Sequence, residues 1–357
     1  NCGRETDDGR VGFPGKKTPG PEKPPHEPRQ KPMKALVTGA TGFIGSHLVE
    51  TLLKHNWDVR CLVRQKGPYS WLAKLPVEYV QGDCRKREPL AEAVRGVDAV
   101  FHLAGVTKAV DRRTYFEVNA QGTDNLLHAC ERNNPRLRRF IYVSSLAAAG
   151  PGGTPRTEED PCEPVSDYGR SKLAGEAFVL RRSSTIPITI IRPPIVYGPR
   201  DRALPPLFRL FNMGISPCLT GERQRFSFCY IDDLISGILL AFQKEKACGE
   251  IFFLDDGIHY SWDEIKDVIL KVTAGRQTLS IPVPKFFIRG TACLCDVFAF
   301  IRRQPTFFNR DKAQEMIQPG WLCDNSKAKR MLDFEPRFAL FTGIQKTYEW
   351  YKKVKWL

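Results

Sequence analysis

A short apolar run, Ala35-Leu36-Val37, opens into Thr38-Gly39-Ala40-Thr41-Gly42-Phe43-Ile44-Gly45 and then into an amphipathic stretch, Ile44 to Lys54. Strand, glycine turn and helix in that order leave few folds open. Gly39 permits a tight turn, and Gly42 lets backbone N–H groups approach a pyrophosphate. Gly45 lets the helix pack closely on the strand. Thr41, Phe43 and Ile44 complete the candidate cofactor-binding backbone of this turn. A glycine triplet alone is a weak signal and can be a purely structural turn. Between this strand and this helix it points to a dinucleotide.

The alternation continues. Val59–Val63, Val77–Val80, Ala99–His102, Phe140–Val143 and Ile188–Ile191 read as strands with helical stretches between them. That order implies right-handed βαβ crossovers and a parallel sheet. After Tyr197 the pattern changes, with Pro199, Pro205 and Pro206 followed by mixed helices and short strands. The expectation is an α/β protein with a Rossmann doubly wound parallel sheet over 33–198, completed by later segments. A smaller C-terminal region over 199–357 is expected to hold the substrate-binding lid and the last helices. Residues 1–32 are rich in proline and glycine without apolar periodicity, and read as a disordered or extraneous leader before Met33.

Composition removes other classes. The 357 residues are 42% hydrophobic, too many for disorder throughout or for a collagen-like chain. No apolar run reaches the roughly 18 residues of a membrane span. Phe286 to Arg303 is apolar and aromatic but interrupted by Arg289 and Asp296. It reads as a packed helix, with an interfacial membrane helix as the second choice. The net charge is +14, spread without an arginine run interleaved with aromatics. A solvated basic surface and a phosphate-bearing small molecule account for it, and nucleic acid is not expected. The eleven cysteines include no C-x-x-C pair and no zinc spacing, which suggests reduced thiols, no metal and a cytoplasmic protein.

The second strand leads into Cys61-Leu62-Val63-Arg64-Gln65-Lys66. An Asp or Glu at its end would grip the ribose 2′-hydroxyl of NAD, and none is present. Arg64, helped by Lys66, suits a 2′-phosphate instead, so NADP is preferred. NAD remains possible if Arg64 only stacks on adenine. Asp83, in Gly82-Asp83-Cys84, is placed for the adenine amino group with Cys84 beside it, and Ala104-Gly105 allows a close pass of the chain.

Tyr-x-x-x-Lys puts a phenol and an ammonium on one helical face. The ammonium is expected to lower the phenol's pKa so that it can exchange a proton with a substrate hydroxyl. Tyr168/Lys172, Tyr348/Lys352 and Tyr351/Lys355 all fit. Only the first follows a parallel strand ending in hydroxyls, Ser144-Ser145, where doubly wound sheets bind ligands. The two C-terminal copies are expected to present a surface face.

In this order the motifs, with Asn119 and Arg192-Pro193-Pro194-Ile195-Val196-Tyr197-Gly198-Pro199, resemble the extended short-chain dehydrogenase/reductases, the NAD(P)-dependent epimerase/dehydratase superfamily. The resemblance covers about residues 33–357, including Tyr230-Ile231-Asp232-Asp233-Leu234. It implies a seven-stranded Rossmann sheet with a mostly helical lid, and a homodimer. It also implies Ser145 as catalytic serine, Tyr168 as acid/base, Lys172 as ribose-binding activator and Asn119 as the family's helix asparagine. Pro193 and Pro194 would line the nicotinamide side. Ser144 is the alternative serine and is placed with the cofactor-binding residues. Leu62-Val63-Arg64 looks like the dihydroflavonol-reductase-like and 3β-hydroxysteroid-dehydrogenase-like members. Sugar-nucleotide epimerases usually carry an Asp there and an arginine where Phe226 stands. Dehydratases usually add a carboxylate pair where Leu146 and Ala147 follow Ser145.

The leading reading is therefore an oxidoreductase moving hydride between nicotinamide and a secondary alcohol or ketone of an apolar small molecule. The alternative is a nucleotide-sugar epimerase with retained NAD, and the third is a non-catalytic NADP-binding protein. Phe208, Phe211, Phe226 and Phe228 suit an apolar ligand or simply pack the lid. The run Tyr348 to Leu357 either docks on the body or makes peripheral contact with an anionic surface.

Overall fold

The computed structural model describes residues 32–65, 71–219, 224–273, 278–302, 304, 306 and 308–357, with Gly3, Gly9 and Gly12. Lys66 and most of the expected leader lie outside the described residues. The chain divides into two units, Asn1–Pro32 and Met33–Leu357, and every named element lies in the second.

The first half runs β1 Lys34–Thr38, α1 Phe43–Lys54, β2 Asp58–Val63, β3 Glu78–Gln81, α2 Glu88–Val94 and β4 Ala99–His102. It continues through α3 Arg112–Phe116, a π turn at Glu117–Gln121, α4 Gly122–Asn133, β5 Arg139–Val143, α5 Leu146–Ala149, α6 Asp167–Leu180 and β6 Ile188–Arg192. The second half holds β7 Ile195–Tyr197, α7 Pro205–Asn212, β8 Ile215–Leu219, β9 Arg225–Tyr230, α8 Ile231–Gln243, β10 Ile251–Phe253 and β11 His259–Ser261. After these come α9 Trp262–Val272, β12 Leu279–Val283, α10 Lys285–Arg302, α11 Arg310–Met316, β13 Gly320–Trp321, α12 Ser326–Leu332 and α13 Leu340–Lys353.

Seven parallel strands form the main sheet in the order β10-β6-β5-β4-β1-β2-β3. The strands are near-continuous apolar runs because both faces are covered. In β1, Ala35 and Val37 point into a core with Leu48 and Leu52 of α1 and Ile231 and Ile238 of α8. Leu36 points the other way, into a core with Leu90 of α2, Leu126 and Leu127 of α4 and Val179 of α6. Each such fully buried leucine, isoleucine or valine contributes about 1.5–3 kcal/mol. Strand order reverses between β1 and β4, so the crevice beyond their carboxyl ends is the natural ligand position.

Past β6, β9 pairs with β7, β11 and β13, and β8 pairs with β12. Phe208, Phe211 and Phe228 are buried in the first core, and half-buried Phe226 packs against it. These aromatics are packing. The C-terminal face is also not the surface expected of it. Tyr351 is fully buried, donates its hydroxyl to the Asp201 carbonyl at 2.6 Å and stacks on Trp356. Its contact with Phe208 of α7, with the bond to Asp201, docks the last helix on the body. The apolar run near residue 290 is helical as expected, yet only one face of α10 is packed. Ile288, Ala292 and Ala299 are buried, whereas Phe286, Phe287, Leu294, Val297, Phe298 and Ile301 are exposed. Among the described residues no helix is long and apolar enough to cross a membrane.

Candidate active site

At the end of β1 the chain turns through Gly39, whose φ of +70° strains any side chain. A Cβ there would also meet the Leu103 carbonyl carbon and oxygen and the Ala104 nitrogen at 2.7 Å. The Gly42 N–H donates to the Gly39 carbonyl at 3.0 Å, and a Cβ on Gly45 would collide with that same carbonyl oxygen. The turn thus closes only with glycine at both ends. Thr41 and Gly42 are exposed, and no acidic residue occupies the first turn of α1. The N–H groups of Phe43 and Ile44 have no acceptor inside the helix. These donors fit a pyrophosphate.

The adenosine end is less open than the sequence suggests. Asp83 follows β3 as expected, but Arg85 grips its carboxylate, with Nη2 at 2.7 Å and the Arg85 backbone N–H at 2.9 Å. The Arg85 hydrogen bonds hold this carboxyl below its usual range, and the charge of Arg64 adds to the effect. Arg64 itself is exposed at the end of β2. Cys84 is buried with its Cβ close to Gly122, and burial pushes its thiol up to about 12.

Ala104 and Gly105 follow β4. A Cβ on Gly105 would press on Asn119 Oδ1 at 3.1 Å. Asn119 sits in the π turn, fully buried. Its Oδ1 accepts from the Val106 N–H at 2.8 Å, and its Nδ2 donates to the Val106 carbonyl and to Ser171 Oγ. It fastens the loop after β4 to α6. Beneath it runs a chain the sequence did not reveal. Thr123 Oγ1 donates to the Asn119 carbonyl at 2.7 Å, so His102 Nε2 must donate to Thr123 Oγ1 at 2.9 Å. His102 Nδ1 then accepts from Thr38 Oγ1 at 2.6 Å, and Thr38 Oγ1 in turn accepts from the Ala104 N–H. Burial, with Lys172 nearby, drives His102 down to about 3 and keeps it neutral. Only a buried histidine with both neighbours in view identifies this clamp.

Ser144 and Ser145 point apart. Ser144 is buried, and its hydroxyl donates to Glu176 Oε1, whose carboxylate is held bidentately by Arg192 at 3.0 and 2.6 Å. Its hydroxyl is therefore engaged by a buried ion pair. Ser145 caps α5, accepting from the Ala147 N–H at 3.1 Å, and its hydroxyl partly holds down the pKa of the Tyr168 phenol. The Leu146 N–H donates to the Pro193 carbonyl at 2.9 Å, tying this turn to the buried Pro193 and half-buried Pro194 after β6.

Tyr168 and Lys172 lie one helical turn apart on α6. Lys172 Nζ donates to the Val143 carbonyl at 2.8 Å and sits 4.3 Å from the centre of the Tyr142 ring. Burial lowers it from 10.5 to about 7, with Glu176 opposing. The phenol differs from expectation. Burial pushes Tyr168 up, the Ser145 hydrogen bond only partly offsets this, and Glu315 and Tyr115 push it further.

Two residues of α11 were not visible from the motifs. Asp311 accepts the backbone N–H groups of Asp167 and Tyr168, at 2.5 and 3.1 Å. Glu315 accepts from Ser166 Oγ at 2.7 Å, while Ser166 caps Gly169. Together they fix where α6 begins. No local pattern links positions 143 to 149 residues apart. Among the described residues no group of His, Cys, Asp and Glu is arranged to hold a metal.

A parallel sheet with a glycine cradle at its switch point and a Ser-Tyr-Lys set beyond β5 defines a nucleotide-dependent enzyme of the extended short-chain dehydrogenase/reductase class. The chain belongs to the NAD dependent epimerase/dehydratase family, whose model matches residues 35–254. It is 31% identical over 324 residues to ceramide reductase of Caulobacter vibrioides (strain NA1000 / CB15N), covering 90% of this chain and 95% of that protein. It is also 31% identical over 333 residues to UDP-glucose 4-epimerase of Vibrio cholerae, covering 89% and 95%. The crystal structure of UDP-glucuronic acid 4-epimerase from Bacillus cereus in complex with NAD matches with a TM-score of 0.73 at 26% identity, covering 90% of this chain and 99% of that one.

Proposed function

We propose that this enzyme is a reductase, using NADP in preference to NAD, that converts a ketone of an apolar substrate to a secondary alcohol. The observation that carries the reading is the placement of Tyr168 and Lys172 one turn apart on α6, with Ser145 just beyond β5 and Lys172 tied to the Val143 carbonyl. A tyrosine phenol is protonated at neutral pH and can serve as a general acid. Ser145 orients the carbonyl oxygen and Tyr168 delivers a proton to it, leaving the alcohol. Bound nicotinamide supplies the hydride to the carbonyl carbon. Gly39, Gly42 and Gly45 would hold its pyrophosphate, Ala104 and Gly105 would pass beside it, and Pro193 and Pro194 would border the nicotinamide. Lys172, held to the Val143 carbonyl, would reach the ribose. Asn119 is a positioning residue for Gly105 and α6. Arg64, with no carboxylate at the end of β2, supports the NADP preference. Phe226 in place of an arginine and Leu146-Ala147 in place of carboxylates disfavour nucleotide sugars and dehydration.

The test starts with purified protein, denatured and assayed by chromatography for nicotinamide cofactor. Empty protein that then oxidises NADPH with apolar ketones supports the reading. Tyr168→Phe is expected to lower that turnover by about 10²–10⁴ without changing NADPH affinity. Stoichiometric retained NAD, with epimerisation of a nucleotide sugar, would refute it in favour of the epimerase that the Vibrio cholerae similarity suggests.

A further inference from the structure

A helix on the surface of a folded protein turns its apolar side inward and its polar side out. In α10 the distribution is reversed in size. The packed side carries Ile288, Ala292 and Ala299, with Ile288 and Ala292 set against Ala313 and Ile317. The outward side carries Phe286, Phe287, Leu294, Val297, Phe298 and Ile301. Phe286, Leu294 and Ile301 are 76%, 72% and 73% exposed. At about 100° per residue these six fall within an arc of about 120°. Arg289 flanks that arc on one side and Arg302 on the other, both exposed. The helix has a single acid, Asp296, and Arg310 occupies its carboxylate at 3.3 Å.

We propose that the outward face of α10 docks on an anionic lipid bilayer. An apolar stripe between two arginines matches the layering of a membrane surface. The six side chains would enter the acyl boundary by about 5–10 Å while the guanidinium groups meet lipid phosphates. The positive charge of the chain, +14, is attracted to such a surface. A second copy is the poorer occupant. It would set Arg289 and Arg302 against arginines, with no carboxylate on the face to pair them, and bring together two chains of like charge. The location has a consequence. The buried side of α10 packs on α11, and α11 holds the start of α6 through Asp311 and Glu315. Docking would set the bilayer one helical layer from Tyr168.

The experiment is flotation of the full chain with vesicles of phosphatidylcholine alone or mixed with phosphatidylglycerol, with sedimentation velocity of the same samples without lipid. Binding is expected to phosphatidylglycerol vesicles and to weaken at high salt. Leu294→Ser/Ile301→Ser is expected to reduce it by about tenfold or more, and Arg289→Gln/Arg302→Gln to weaken the preference for anionic lipid. Both variants change exposed side chains, and circular dichroism with an unchanged melting temperature confirms their fold. Failure of the wild-type chain to float with phosphatidylglycerol vesicles overturns the proposal, as does undiminished binding by the folded apolar variant. A wild-type oligomer that the apolar variant dissociates assigns the face to a second copy and overturns it equally.

Discussion

Replacing Lys172 by methionine should stabilise the protein at neutral pH while weakening its hold on cofactor. The ammonium is buried, and burial moves it from 10.5 to about 7. At about 1.4 kcal/mol per pH unit, that difference makes housing this lysine cost about 5 kcal/mol at pH 7. Lys172→Met removes the cost, keeps most of the volume and gives up the hydrogen bond to the Val143 carbonyl. Losing that bond costs about 1–3 kcal/mol, so the net gain at pH 7 is about 3 kcal/mol. The sign with pH is determined. Between about pH 7 and pH 10.5 the unfolded chain holds a proton on this lysine that the folded chain has released. The unfolded state therefore binds more protons, and the lysine's contribution makes the folded state more stable as pH rises through that window. The variant lacks that slope, so its advantage should shrink steadily toward alkaline pH. Guanidinium unfolding of both proteins from about pH 7 to pH 10 measures the gap. A gap that stays constant with pH, or a variant less stable already at pH 7, would refute the depressed lysine and with it this account of the site.

Three further changes test other parts of the structure. Gly45→Ala forces a Cβ onto the Gly39 carbonyl, and should cost about 1–3 kcal/mol, read as a lower melting temperature together with lost cofactor affinity. Glu176→Gln leaves Arg192, only 3% exposed, without its counter-charge. A loss of about 3–5 kcal/mol is expected in denaturant unfolding. Arg64→Asp supplies a carboxylate at the end of β2, and should move the ratio of NADPH to NADH affinity toward NADH by about tenfold or more. Titration of cofactor fluorescence reads that ratio.

The first half of the fold was legible because each strand is a short apolar run bounded by polar or glycine turns. Ala99–His102 is a strand over the very residues the sequence marks, and β1, β2, β5 and β6 differ by a residue at their ends. The glycines were legible for a steric reason that the Gly39 φ and the Gly45 clash make explicit. Residues whose roles depend on partners distant in sequence were not. Ser144 and Ser145 are adjacent and alike, and only Glu176 and Tyr168 on opposite sides of the turn separate them. The burial that raises the Tyr168 phenol's pKa is likewise set by partners distant in sequence. Tyr351 carries a basic helix pattern that reads as surface, yet Phe208 and the Asp201 carbonyl that bury it come from a distant segment. The outward side of α10 was ambiguous because period shows which residues share a face, and never what that face meets.

The hold of Asp311 and Glu315 on the start of α6 also orders events during synthesis. The main sheet is complete once β10, ending at Phe253, has emerged from the ribosome, and it includes every strand that borders the cofactor cradle. The backbone N–H groups of Asp167 and Tyr168 still wait for an acceptor delivered 143 or 144 residues later. A nascent chain at that stage would hold a formed nucleotide crevice beside a frayed start of α6. On the proposed roles, competence for proton transfer would then arrive after competence to bind nucleotide.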